Sequence, residues 1–153
     1  MEKNVGGDNL LSLDTFIPYR INVLATKISE SLAVEYRRDF GISIAEWRVL
    51  AILGQYSPLA AKQLASEVNL GKVRLSRTTT KLYEDGLIMR SISAGDRRKT
   101  FFRLSTKGKR LYEKIVPLAI KWQDSLMESF SDKDTEQLVK MIDLLEARLE
   151  GKS

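Results

Sequence analysis

The stretch Lys72-Val73-Arg74-Leu75-Ser76-Arg77-Thr78-Thr79-Thr80-Lys81-Leu82-Tyr83-Glu84-Asp85-Gly86 decides the fold. Leu75, Thr79 and Leu82 recur at i, i+4 and i+7, so one side of a helix is apolar or small. Arg74, Arg77 and Lys81 fall on the other side, with Val73, Ser76 and Thr80 between them. Gly86 supplies the stop. Upstream, Asn69-Leu70-Gly71 is a tight turn. Ser57-Pro58 is expected to open a short helix with Pro at its first position and Ala60, Ala61, Leu64, Ala65 and Val68 as its apolar stripe. Downstream the period changes. Leu87–Ile92 and Lys99–Leu104 are β-prone, and Ser93-Ala94-Gly95-Asp96 between them is a turn.

A helix, a tight turn, a second helix and a hairpin make a winged helix-turn-helix. In that motif the second helix lies in the major groove of DNA and its N-terminal residues meet base edges. Arg grips guanine through O6 and N7, and Ser or Thr contacts bases or phosphates. Lys72, Val73, Arg74, Ser76, Arg77, Thr80 and Lys81 are therefore the candidate groove-reading residues. An amphipathic surface helix with a basic side is the plainer alternative. The hairpin tip adds Asp96, Arg97 and Arg98. Arg suits a narrow minor groove, where negative potential is concentrated. Asp96 is expected to pair with a nearby Arg and fix the tip.

The rest of the chain is helical. Apolar residues at Ile17, Ile21, Leu24, Ile28, Leu32 and Tyr36 predict a helix from Leu13 to about Asp39, capped by Ser12 or Asp14 and ended by Gly41. Pro18 then lies in its first turn. Ser43-Ile44-Ala45-Glu46 is a capping box for a second helix, expected to finish near Gln55. Ser105 or Thr106 opens a long fifth helix to about Phe130, which Pro117 is expected to kink. Ser131-Asp132-Lys133-Asp134 caps a sixth, with a stripe of Leu138, Met141, Ile142, Leu145 and Leu149. Gly6-Gly7-Asp8-Asn9 reads as a flexible tip.

Charge follows the same map. Residues 1–71 carry a net of −1, residues 72–110 a net of +9, and residues 111–153 a net of −3. A basic block between slightly acidic flanks is the footprint of a polyanion site. Solvated surface charge is the usual explanation of such a run, but it does not explain why the block coincides with the helix pair and hairpin.

Composition closes several doors. The chain has 153 residues, enough for one domain with an appended helical part. It is 43% hydrophobic and 29% charged, which excludes a disordered tail. It has no Cys and no His, so disulfides, thiol chemistry, His-based triads and the common zinc sites are out. No carboxylate cluster has EF-hand spacing, so no metal and no cofactor are expected. No apolar run approaches the ~20 residues of a membrane span, and the N-terminus lacks the pattern of a secretory signal, so a cytoplasmic location is expected. An enzyme reading finds carboxylates such as Asp96 and Glu46, but no nucleophile, phosphate loop or metal to partner them.

Leu82-Tyr83-Glu84-Asp85-Gly86-Leu87-Ile88-Met89-Arg90, then Asp96-Arg97-Arg98-Lys99, then Leu104-Ser105-Thr106-Lys107-Gly108 resemble the MarR family of bacterial transcriptional regulators. They match its recognition-helix end, its Gly-Leu turn, its Asp-Arg-Arg wing tip and its Leu-Thr-x-x-Gly start to the next helix. Glu46-Trp47-Arg48-Val49-Leu50 and Leu64-Ala65 look like its second and third helices, and the likeness covers about residues 13–150. Ser105 replaces the usual Thr, and Tyr83 takes a position often charged. The Cys of the family's redox sensors is missing.

The resemblance implies a mainly helical, α+β fold: a winged helix-turn-helix domain at 41–105, N- and C-terminal dimerisation helices at 13–40 and 106–150, and a flexible start at 1–12. It also implies a homodimer on a pseudo-palindromic operator, with two recognition helices ~34 Å apart. The residues point the same way, since the stripes on the first and sixth helices exceed what a winged-helix core of roughly seventy residues covers. Many family members release DNA when a small aromatic acid or phenol binds. Tyr19, Arg20 and Trp47 are the candidate lining here, with Arg20 meeting a carboxylate and the rings stacking on the ligand. The other reading is that Tyr19 and Trp47 are core aromatics and Arg20 an ion-pair partner. The implied function is a dimeric, sequence-specific DNA-binding regulator, a repressor released by such a ligand. The alternative is a winged-helix protein-interaction module with neither DNA nor ligand.

Overall fold

A computed structural model describes residues 11–151. The expected flexible tip at residues 6–9 lies outside them. The elements run α1 (Ile17–Phe40), α2 (Ile44–Gln55), β1 (Leu59–Ala60), α3 (Ala61–Glu67), α4 (Lys72–Glu84), β2 (Ile88–Ile92), β3 (Thr100–Leu104), α5 (Thr106–Met127) and α6 (Asp132–Leu149). The architecture is mainly helical with one three-stranded antiparallel sheet in the order β1-β3-β2. The chain divides into two compact units, one ending at Tyr112 and one beginning at Glu113.

In the first unit α2 lies at the centre. Val49, Leu50 and Leu53 are fully buried, and Leu64, Val68, Leu75, Leu82, Leu87 and Ile88 complete the core from α3, α4 and the hairpin. The capping box of α2 forms as its sequence predicts: Ser43 Oγ accepts from the Glu46 N–H, and Glu46 Oε2 accepts from the Ser43 N–H at 2.7 Å. Only the C-terminal end of α1 is buried here, through Ala33 and Tyr36. Trp47 on α2 stacks on Tyr112 and lies tilted against Tyr36, with centroids 6.2 and 5.7 Å away. These contacts place α1 in the same unit as the winged-helix elements. The boundary after Tyr112 falls inside α5.

Two expected helix starts shift. α1 begins at Ile17 rather than Leu13, behind a turn in which the Ser12 carbonyl accepts from the Thr15 and Phe16 N–H groups, and no side chain caps it. Pro18 explains the delay. Contrary to the expectation from sequence, a helix from Leu13 puts it beyond the first turn, where its missing N–H would orphan the Asp14 carbonyl. Pro58 does not open α3. Leu59 and Ala60 are extended and pair with Phe102 and Phe101 as a third strand, so the helix starts at Ala61, where Gln63 Oε1 accepts from the Ala60 N–H. α5 continues through Pro117 and ends at Met127, short of Phe130.

The hairpin and α5 are locked at Leu87. Its N–H donates to the Leu82 carbonyl, and its own carbonyl accepts from the Ser105 N–H. Ser105 Oγ accepts from the Gly108 N–H at 2.9 Å and so caps α5. Gly86 adopts φ 71°, which glycine tolerates. Gly108 is required by space, since a Cβ there would lie 1.8 Å from the Leu87 carbonyl oxygen.

The second unit holds the rest of α5 and all of α6. Ser131 and Asp134 form a second capping box, with the Ser131 N–H donating to Asp134 Oδ2 at 3.1 Å. The hydrogen bond from the Ser131 hydroxyl, and after it the one from the N–H, holds the Asp134 carboxyl below its ordinary value. No residue of α6 is buried. Leu138, Met141, Ile142, Leu145 and Leu149 are all exposed, as are Ile17, Ile21, Leu24 and Ile28 at the other end of the chain.

Replacing Gly108 with Ala forces the α5 start away from Leu87. The expected cost is about 1–3 kcal/mol, the range for overpacking a tight contact. Thermal unfolding followed by circular dichroism reads it, and an unchanged midpoint would contradict the close approach.

Candidate nucleic-acid interface

Helix α4 sorts its residues sharply. Leu75, Thr78, Thr79 and Leu82 are buried against the core. The buried hydroxyls are satisfied within the helix: Thr78 Oγ1 donates to the Arg74 carbonyl at 2.8 Å and Thr79 Oγ1 to the Leu75 carbonyl at 3.0 Å. Thr78 therefore joins the inward face that the spacing had assigned to Leu75, Thr79 and Leu82. Lys72, Val73, Arg74, Ser76, Arg77, Thr80 and Lys81 are all exposed. Gly71 begins the helix without a side-chain cap, which leaves first-turn N–H groups for an outside acceptor. Gly71, Lys72, Val73, Arg74 and Arg77 line a shallow concavity at that end.

Lys81 stands apart from the others. Its ammonium lies 3.1 Å from Glu46 Oε1 and also contacts Asp85. The charge it offers a phosphate is thus already shared between two carboxylates. Glu46 is buried at 4% exposure, so the pair ties the recognition helix to the start of α2. Burial opposes ionisation of Glu46, but hydrogen bonds from Ser43 and the Lys81 ammonium outweigh it and hold the carboxyl below its ordinary value. Hydrogen bonds to Asp85 and Glu46 raise Lys81 in turn. The sequence shows the capping box but gives no sign that its Glu also anchors a lysine 35 positions later.

At the wing tip Arg97 and Arg98 are exposed. Asp96 does not pair with an arginine side chain among the described residues. Its Oδ1 accepts instead from the Arg98 backbone N–H at 3.0 Å, and its carbonyl accepts from the Lys99 N–H. The acid fixes the turn through the main chain and leaves the guanidinium groups free to reach outward.

The candidate ligand residues do not come together within one chain. Tyr19 and Arg20 are exposed on α1 and line a groove with Leu13, Ile17, Leu24 and Lys27, among others. Trp47 does not line it and sits in the aromatic stack described above.

A model of the MarR family matches residues 42–100, which span α2 to the start of β3. Over those residues the chain is similar to the MarR family. A MarR/EmrR family regulator from Acinetobacter superposes with a TM-score of 0.83 at 28% identity, covering 92% of this chain and 99% of that one. The HTH-type regulator YwoH of Bacillus subtilis is 29% identical over 77% of this chain and 85% of its own. The structure of NadR in complex with 4-hydroxyphenylacetate shares the fold, with a TM-score of 0.75 at 22% identity, covering 90% of this chain and 95% of that one. MarR proteins are transcriptional regulators with a DNA-binding winged helix, not enzymes. Among the described residues no helix is long and apolar enough to cross a membrane.

Because the Glu46 value is depressed, its ionised form stabilises the fold above the unfolded value of about 4.3. That contribution is lost as pH falls through the lower folded value. Glu46→Gln should cost about 1 kcal/mol at pH 7, a typical value for a capping interaction. The gap to the unmodified protein should close in strong acid. Urea unfolding across pH reads this, and a gap that stays constant with pH would contradict it.

Proposed function

We propose that this protein is a homodimeric, sequence-specific repressor of the cytoplasm, released from a pseudo-palindromic operator by a small aromatic acid or phenol. The observation that carries the DNA reading is the exposed face of α4. The side chains of Arg74, Ser76, Arg77 and Thr80 are exposed and have no partner among the described residues, on a helix whose inner side is locked into the core. Arg77 supplies base readout, while Arg97 and Arg98 of the wing supply charge in the minor groove.

Dimerisation is supported by exposed apolar rows at both ends of the chain. Ile17, Ile21, Leu24 and Ile28 on α1, and Leu138, Met141, Ile142 and Leu145 on α6, face water in a single copy. Contiguous apolar faces of this kind mark interaction surfaces, and a second copy is their simplest cover.

The effector reading rests on the groove of Tyr19 and Arg20 and on the phenolic acid bound to NadR. Arg20 would take the carboxylate and Tyr19 the ring. Trp47, in contact with two tyrosine rings, fits a packing role better than a ligand contact. A ligand that binds one spacing of the two recognition helices shifts the dimer toward that spacing.

Arg77→Ala should weaken binding to an operator more than to random duplex, by about 1–3 kcal/mol of discrimination. Arg97→Ala and Arg98→Ala should lower affinity for both duplexes and flatten the salt dependence. Gel-shift titrations at several salt concentrations separate the two, and equal losses for Arg77→Ala on both duplexes would refute base reading. Adding 4-hydroxyphenylacetate should raise the melting temperature of the free protein, and Arg20→Ala should abolish that rise. A rise that survives in Arg20→Ala would move the effector elsewhere.

A further inference from the structure

Arg90 has no role by sequence beyond its charge, yet its placement is specific. It lies in β2, opposite Phe102 of β3, on the sheet face that also carries buried Ile88. Its guanidinium carbon sits 4.1 Å from the centre of the Tyr83 ring. Tyr83 belongs to α4 and follows Ser76 by seven residues, so at about 100° per residue the two share one edge of the exposed recognition face. Both Arg90 and Tyr83 are exposed, and among the described residues no carboxylate pairs with Arg90.

We propose that Arg90, positioned by Tyr83, binds a DNA phosphate on the strand that passes between recognition helix and wing. The inference rests on the DNA reading above and deepens it. With α4 in the major groove and the Arg97-Arg98 tip in the neighbouring minor groove, one sugar-phosphate strand must cross between them. Arg90 occupies that interval: β2 leads from the end of α4 to the wing turn. A flexible arginine there would lose rotamer freedom on binding. The aromatic face removes part of that loss by holding the guanidinium in place while its N–H groups stay open to phosphate oxygens. Tyr83 is thus a positioning residue and acts through Arg90. It also accounts for an aromatic ring at a position that the family often fills with charge.

The test uses the full chain and random-sequence duplex, because a phosphate contact carries no sequence information. Arg90→Ala should weaken binding about three- to tenfold and reduce the salt slope by about one. Arg90→Lys should recover the slope but only part of the affinity. Tyr83→Leu should weaken binding about two- to threefold, Tyr83→Phe should restore it, and the Tyr83→Leu loss should vanish in an Arg90→Ala background. If Arg90→Ala leaves affinity and slope intact while Arg97→Ala lowers both, the inference fails and the DNA reading stands. If the Tyr83→Leu loss persists undiminished beside Arg90→Ala, the ring does not act through Arg90. If the unmodified protein shows no salt-dependent binding to duplex, both readings fall together.

Discussion

The candidate DNA-facing elements of this protein meet at the main chain of Leu87. Its N–H closes the end of α4, its carbonyl receives Ser105 at the start of α5, and its side chain is buried. The same carbonyl leaves no room for a side chain at Gly108. Recognition helix, wing and the long fifth helix therefore share one junction with little freedom. A groove-reading helix and a wing tip are useful only at a fixed separation, and packed junctions transmit position because they resist small adjustments.

A second fastening works at the other side of α4. Glu46 caps α2 and holds Lys81, so one buried carboxylate serves two helices. The arrangement spends a basic residue on internal structure within the block of highest positive charge. Lys72, Arg74, Arg77, Arg90, Arg97 and Arg98 are among the basic residues that remain outward, with Asp96 committed to the backbone of the wing turn. Asp96 thus orients the wing turn without pairing its guanidinium groups, while Glu46 and Asp85 take up the charge of Lys81 alone. Long-range attraction to a polyanion survives, and local geometry is gained.

Much of this was legible in the sequence because local signals and core pattern agreed. The capping boxes at Ser43 and Ser131, the stop at Gly86 and the inward row of Leu75, Thr79 and Leu82 all appear where their spacing predicts. The misreadings have a common cause. Leu59 and Ala60 pair with a strand forty residues away, and Ser-Pro chemistry carries no trace of that partner. Lys81 meets Glu46, and Arg90 meets Tyr83, through tertiary contacts that helix and strand periodicity do not encode. Tyr19, Arg20 and Trp47 suit an aromatic acid by type, but type alone could not show that Trp47 packs against Tyr36 and Tyr112. The apolar rows on α1 and α6 were visible as periodicity, and the structure leaves them uncovered in one copy.

Hydroxyl-radical footprinting on an inverted-repeat duplex, with the mass of the complex measured by sedimentation, probes the central claim most directly. Two subunits joined at their helical ends should protect two blocks of backbone one helical turn apart, ~34 Å, in a complex of two chains per duplex. One protected block, or one chain per duplex, would contradict the account.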